Sequence, residues 1–318
     1  MFIETPLLES RALSQRLNKS VWLKMEAMQP TGSFKARGIG HACTVYKARG
    51  ARRFVSSSGG NAGLAVAYAG RKLGVPVLVV VPETTSERAK HLIAREDAEV
   101  VVHGKSWQEA NEFALASRTS ADAFLHPFDD PLIWEGHATM IDEVVRAGCT
   151  PDALVLSVGG GGLLCGAIEG LRRNGLASVP VVAVETLGAD SYAQSLAAGA
   201  RIELPAITSI ATSLGARSVC EEALALARQR PVSSVVVTDQ QAVAGCLELL
   251  DEHRIVVEPA CGASVAALDS DHAALRDARN ILLIVCGGVG ANVDQLTRWQ
   301  AGWQAEAGRC HTIEIAMR

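Results

Sequence analysis

Ala153-Leu154-Val155-Leu156-Ser157-Val158-Gly159-Gly160-Gly161-Gly162-Leu163 runs from an apolar strand through four glycines into the start of a helix. Four glycines there leave the backbone N–H groups bare. The helix N-terminus adds a partial positive charge, so the pair favours a phosphate. The competing reading is a tight turn at positive φ, which one or two glycines would satisfy. Strand, glycine run, helix and Glu185 at the end of the next strand also outline a dinucleotide-binding unit. The spacing disagrees, because the third glycine of G-x-G-x-x-G would fall at Leu164 or Cys165. No Lys-Ser/Thr follows the run, so a P-loop is excluded, and a compact monophosphate ester fits better.

Outward from this stretch, short β-branched runs alternate with helical patterns, the signature of parallel sheets built from βαβ units. Strands are predicted at 21–26, 53–56, 77–81, 99–103, 153–158, 179–185, 234–238 and 281–285. Helices are predicted at 61–73, 106–117, 163–174 and 239–252. Thr238-Asp239-Gln240-Gln241 has capping-box spacing before the last of these. The expected architecture is α/β with two lobes, residues 31–131 forming a smaller one and residues 1–30 with 132–318 a larger one. A cleft between the lobes is the place for a cofactor and its substrate.

A net charge of −4 and the lack of a Lys/Arg stripe give no footprint for nucleic acid. The N-terminus has no basic start or apolar run of a signal peptide, and no apolar stretch is long enough to span a bilayer. A cytoplasmic location is the expectation. The eight cysteines at 43, 149, 165, 220, 246, 261, 286 and 310 are scattered without metal-ligand spacing and read as free thiols.

Lysine is scarce: seven against twenty-three arginines, none beyond Lys105. A Schiff-base nucleophile must be lysine, since arginine stays protonated. Lys19, Lys24, Lys47, Lys72, Lys90 and Lys105 lie in contexts that suit solvated side chains. Lys35 alone follows a Pro-Thr-Gly turn among small residues, where Thr31 or Ser33 can cap a starting helix. Ser56-Ser57-Ser58-Gly59-Gly60-Asn61 is a second polar loop between a strand and a helix, able to hold a small carboxylate or simply to turn the chain. Cys286 ends the apolar run 281–285 and reads either as a buried hydrophobe or as a weak donor to a ring nitrogen at a cleft mouth.

These motifs occur in one order across nearly the whole chain: Thr5-Pro6-Leu7-Leu8-Glu9-Ser10, Ser33-Phe34-Lys35, Ser58-Gly59-Gly60-Asn61, the segment from Phe128 to His137, the four glycines, Glu258-Pro259-Ala260-Cys261-Gly262-Ala263 and Val285-Cys286-Gly287-Gly288. In this the chain resembles the serine dehydratase and serine dehydratase-like branch of the fold type II pyridoxal-phosphate enzymes. The resemblance implies a tryptophan synthase β-like fold, two open twisted parallel-sheet lobes with the cofactor in the cleft. It implies that Lys35 forms the Schiff base, that Phe34 packs near the ring, and that Gly159, Gly160, Gly161, Gly162 and Leu163 hold the phosphate. Asn61 would contact the ring 3-oxygen and Cys286 would face the ring nitrogen. Ser58, Gly59 and Asn61 would line the substrate carboxylate site, with Ser213 in the substrate pocket. Glu185, with carbonyls of Ala189, Leu214 and Ala216, would bind a monovalent cation such as potassium. A homodimer is also implied.

The expected activity is elimination of water from L-serine and L-threonine, giving pyruvate or 2-oxobutyrate plus ammonia, with the freed Lys35 amine removing the α-proton. A neutral Cys286 thiol leaves the ring nitrogen largely unprotonated, a weaker electron sink that favours prompt elimination over racemisation. Three other readings stand beside it: a serine racemase or cysteine synthase, a nicotinamide-dependent dehydrogenase on the Gly159 and Glu185 unit, and a non-catalytic ligand-binding protein. Cysteine synthases carry a Thr-Ser-Gly-Asn-Thr-type loop, which differs from residues 57–61.

Overall fold

The structure is a computed structural model that describes the backbone of residues 1–316 and the side chains of residues 1–304. Cys310 lies outside the described side chains. Among the described residues ten strands form two sheets: β1 Leu7–Glu9, β2 Ser20–Lys24, β3 Arg53–Ser56, β4 Val77–Val81, β5 Glu99–Val102, β6 Asp122–Phe124, β7 Ala153–Ser157, β8 Val181–Thr186, β9 Val232–Val237 and β10 Asn280–Ile284. One sheet has the order β1-β2-β10-β7-β8-β9, the other β5-β4-β3-β6. All pairings are parallel except β1 with β2.

Every side chain of β4, β7 and β8 is buried, as expected for parallel strands covered by helices on both faces. That is why these segments read as continuous apolar runs and not as alternating ones. The larger core gathers Leu154, Val155, Leu156, Val182, Leu283 and the helix Gly162–Arg173. A second core under β3 and β4 packs Phe54, Val79 and Val81 against Ile39 and Ile133.

Two expectations are corrected. Lys24 is not solvated: it is 1% exposed, and its Nζ donates to the Glu143 carboxylate and the Thr5 carbonyl. Its strand is an interior one, flanked by β1 and β10, so burial had to be met by a paired charge. Thr31 and Ser33 do not cap the helix Lys35–Ala48, whose N-cap is Phe34 in a right-handed helical conformation. Ser33 is instead held in a bridge to Gly287, and the Thr31 and Ser33 hydroxyls are buried without a partner.

Candidate active site

The C-terminal ends of parallel strands carry the polar residues, where an open α/β sheet binds its ligands. From β10 the chain runs through Cys286 to Gly290; from β7 through the glycines; from β3 through Ser57 to Gly60. The bridge between Ser33 and Gly287 and the bond from the Phe34 N–H to the Cys286 carbonyl, 3.1 Å, bring the Lys35 segment to the end of β10.

Lys35 opens its helix. Its Nζ donates to the Pro127 carbonyl at 2.6 Å and lies 5.0 Å from the centre of the Phe34 ring. Burial lowers the amine from the usual 10.5 to about 8, against the opposing influence of Cys286 and Glu258. At neutral pH such an amine has a neutral, nucleophilic fraction of about a tenth, far above that of an ordinary lysine. The Cys286 thiol is held well above its ordinary value, first by its contact with Cys261 and then by burial, so it stays a neutral thiol.

The glycine run is shaped by what surrounds it. Only Gly161 has a positive φ, +96°. A Cβ on Gly160 would lie 2.3 Å from the Phe128 ring, and one on Gly162 would lie 2.6 Å from the Phe128 carbonyl. A turn alone would need one glycine; close packing accounts for the others. No side chain caps the helix Gly162–Arg173, so its first N–H groups are left without a side-chain acceptor. A buried amine of lowered pKa, a neutral thiol and a side-chain-free helix N-terminus fit the aldehyde, ring nitrogen and phosphate of pyridoxal phosphate.

Asn61 begins the helix Asn61–Leu73 and is 8% exposed. Its Nδ2 donates to Glu258 Oε1 at 2.7 Å, and its Oδ1 accepts from the Val289 N–H at 3.0 Å. The Ser58 hydroxyl accepts from the Gly60 N–H, and Gly59 packs against Thr85. Ser213 lies in a short 3₁₀ turn, Thr212–Leu214, with its carbonyl against Gly159.

Glu185 behaves as a helix cap. Its two oxygens accept from the Tyr192 and Ala193 N–H groups in the first turn of Ser191–Ala198, and burial raises its pKa to about 8 against those bonds. Ala189 and Leu214 share a small apolar cluster with Ala211 and Ala260, and the Ala216 carbonyl accepts from the Ser191 hydroxyl. Among the described residues no cluster of three or more His, Cys, Asp or Glu side chains can hold a metal ion. The seven described cysteines are free and buried.

Residues given no role on sequence grounds also stand here. Glu258 bridges Asn61 and Gly290. His137 lies against Phe34, ring centres 4.8 Å apart, accepts from the Gly38 N–H, and is kept neutral by burial. Phe128 covers the glycines. Glu258, Phe128 and His137 sit in the quoted motifs, but their partners are far away in sequence and no local pattern points to them.

The class follows from this constellation, and comparison agrees: the model of the pyridoxal-phosphate dependent enzyme family matches residues 2–287. The chain belongs to that family, and its cofactor is pyridoxal phosphate. It is 45% identical over 307 residues to the human L-serine dehydratase/L-threonine deaminase, covering 93% of this chain and 94% of the relative. It is 48% identical to the mouse serine dehydratase-like protein, with 92% of each chain covered. The crystal structure of a fungal L-serine ammonia-lyase from Rhizomucor miehei superposes with a TM-score of 0.86 at 32% identity, covering 94% of this chain and 98% of that one.

Proposed function

We propose that the protein is a pyridoxal-phosphate-dependent ammonia-lyase that converts L-serine to pyruvate and L-threonine to 2-oxobutyrate, releasing ammonia. The observation that carries the reading is Lys35, a buried amine of lowered pKa at the start of its helix, in a segment that the Phe34 N–H to Cys286 carbonyl bond holds beside the end of β10. The two relatives above, similar over more than nine-tenths of this chain, support the substrate class.

Lys35 would hold the cofactor through its amine, with Phe34 beside the ring. The N–H groups of Gly159, Gly160, Gly161, Gly162 and Leu163 would hold the phosphate. Asn61 would contact the ring oxygen. Pyridoxal phosphate supplies, when bound, an electron-withdrawing ring that takes up the electron pair left on the substrate α-carbon. The Lys35 amine, when free, would be the base that removes the α-proton. Cys286, uncharged, offers the ring nitrogen a weak donor and no negative charge. Ser58, Gly59 and Asn61 would seat the substrate carboxylate, with Ser213 beside the side chain. Glu185 and the carbonyls of Ala189, Leu214 and Ala216 would form the monovalent-cation site.

The same reading divides the chain into residues 31–131 and the remainder, and makes it a cytoplasmic homodimer. Among the described residues no helix is long and apolar enough to cross a membrane. The test is a keto-acid and ammonia assay on purified protein with L-serine, L-threonine and D-serine, together with a borohydride-sensitive visible band. Keto acid from the L-substrates with that band supports the reading; D-serine formed from L-serine without keto acid would replace it with a racemase.

A further inference from the structure

Glu258 occupies the N-cap position of the helix Pro259–Ala266, where the short side chains Asp, Asn, Ser and Thr are the usual caps. Here it makes no cap bond. Its carboxyl group turns away from the helix, and the residue is 5% exposed. Oε1 accepts from Asn61 Nδ2 at 2.7 Å and Oε2 from the Gly290 N–H at 2.9 Å. A Cβ on Gly288 would come within 1.9 Å of its Cδ, so the loop after β10 lies directly on the carboxyl. Ser213 and Lys35 act on it as well, both favouring its charged form against burial. One buried acid thus ties the loop after β3, in the four-stranded sheet, to the loop after β10, in the six-stranded sheet.

The orientation of the Asn61 amide follows from donor and acceptor counting. The Val289 N–H can only donate, so the atom facing it must be Oδ1, and the atom facing Glu258 must be Nδ2. Nδ2 carries two hydrogens. Glu258 takes one, and the second is left to donate in a direction fixed by the first. We propose that Glu258 is a positioning residue of the reaction: it locks the Asn61 amide so that Asn61 presents a donor, and not an acceptor, to the cofactor's ring oxygen. The proposal rests on the pyridoxal-phosphate reading of the site and adds a residue to which that reading gives no role.

Glu258→Gln keeps size and shape but replaces one acceptor by an NH₂ group. The Asn61 and Gly290 donors then compete for a single oxygen, so the amide, still oriented by Val289, loses the bond that holds Nδ2 and its second hydrogen in one direction. The experiment compares wild type, Glu258→Gln, Asn61→Ala and the double variant as purified holoenzymes. It reads the position of the visible cofactor band, cofactor retained after dialysis, the thermal midpoint, and kcat and KM for L-serine. The expected result is a folded Glu258→Gln protein that retains cofactor through Lys35, with its band moved toward that of Asn61→Ala. Its kcat/KM falls by up to about 100-fold, the size of effect that misplacing one group can produce. In the Asn61→Ala background, Glu258→Gln adds less than about twofold, because coupled residues are non-additive. Should Glu258→Gln not fold, Glu258→Asp keeps the charge while shortening the reach by one methylene, and the same band shift is expected.

Independent, multiplying effects of the two substitutions, or an unmoved band in the folded Glu258 variants, would overturn the proposal and leave the cofactor reading in place. A wild-type protein with neither band nor keto-acid product would overturn the reading of the site itself.

Discussion

At the scale of one residue, Lys35 stands out as a buried amine whose proton is held less tightly than usual. Desolvation brings it to about 8 although Cys286 and Glu258 both favour the charged form. For protein stripped of cofactor, the reactive species is the neutral amine, whose fraction grows about tenfold per pH unit below the pKa and levels off above it. The rate of cofactor uptake should therefore climb up to about pH 8 and then flatten. A continued climb toward pH 10 would show an ordinary solvated lysine. Lys35→Ala should abolish both covalent uptake and turnover, read as loss of the borohydride-sensitive band and of keto-acid release. Lys35 stands out in the sequence because lysine is rare and this one follows a turn, and the structure buries it at the head of its helix. Lys24 was misread because its partner Glu143 stands 119 residues away, and Glu258 drew no role because Asn61 stands 197 residues away. Residue chemistry is visible in sequence; long-range partners are not.

At the scale of elements, what could be read was periodicity and local capping. The helix Asn61–Leu73 and strands β3 and β4 lie where the pattern put them, and the Thr238 capping box is present with both of its bonds. β1 and β6 were missed, because three residues hold too little alternation to register. The glycine run reads in sequence as a phosphate cradle; in the structure its length is matched to the close approach of Phe128, which the strand-to-helix pattern does not reveal. Gly160→Ala would push a methyl group into the Phe128 ring and displace the cradle. Cofactor affinity should fall at least about tenfold, a difference of about 1.4 kcal/mol, measured by cofactor titration. Unchanged affinity would separate the cradle from the phosphate. Glu185 belongs to the same scale. Its carboxyl group caps the helix Ser191–Ala198, and the cation reading requires that this cap also serve an ion. Potassium should raise activity above a sodium-only buffer, and Glu185→Ala should erase the difference. Indifference of the unmodified enzyme to potassium would leave Glu185 as a helix cap alone.

At the scale of the molecule, the parts must hold Lys35 still while its helix joins segments far apart in the chain. Two residues beyond Lys35, Arg37 is fully buried; its guanidinium donates to both oxygens of Glu26 at 2.7 and 2.8 Å and to both oxygens of Glu143 at 2.6 Å. Lys24 completes Glu143, and Thr5 and Gln29 complete Glu26, so two cations are matched by two anions. The network connects the N-terminal segment, the end of β2, the helix Lys35–Ala48 and the helix Pro131–Arg146. These are the places where the chain leaves for the four-stranded sheet and returns from it. Burial works against the Arg37 charge, yet Glu26 and Glu143 outweigh it and hold the guanidinium above its ordinary value. Replacing Arg37 by Met would strand two buried carboxylates with one lysine between them. The expected cost is about 3–5 kcal/mol, because removing one partner leaves an uncompensated buried charge. Urea unfolding at pH 7 measures it, and a loss below about 1 kcal/mol would mean that the network adds little to stability. The sign of the pH dependence follows from Glu143, which burial raises but Arg37 and Lys24 lower by more, leaving it below its usual 4.5. A depressed carboxylate stabilises the fold above its unfolded value and loses that contribution as pH falls through the folded one. Wild-type stability should therefore drop below pH 4.5, with a component that Arg37→Met no longer shows. Equal acid sensitivity in both proteins would assign the acid transition to other carboxylates and leave Arg37 with only its packing role.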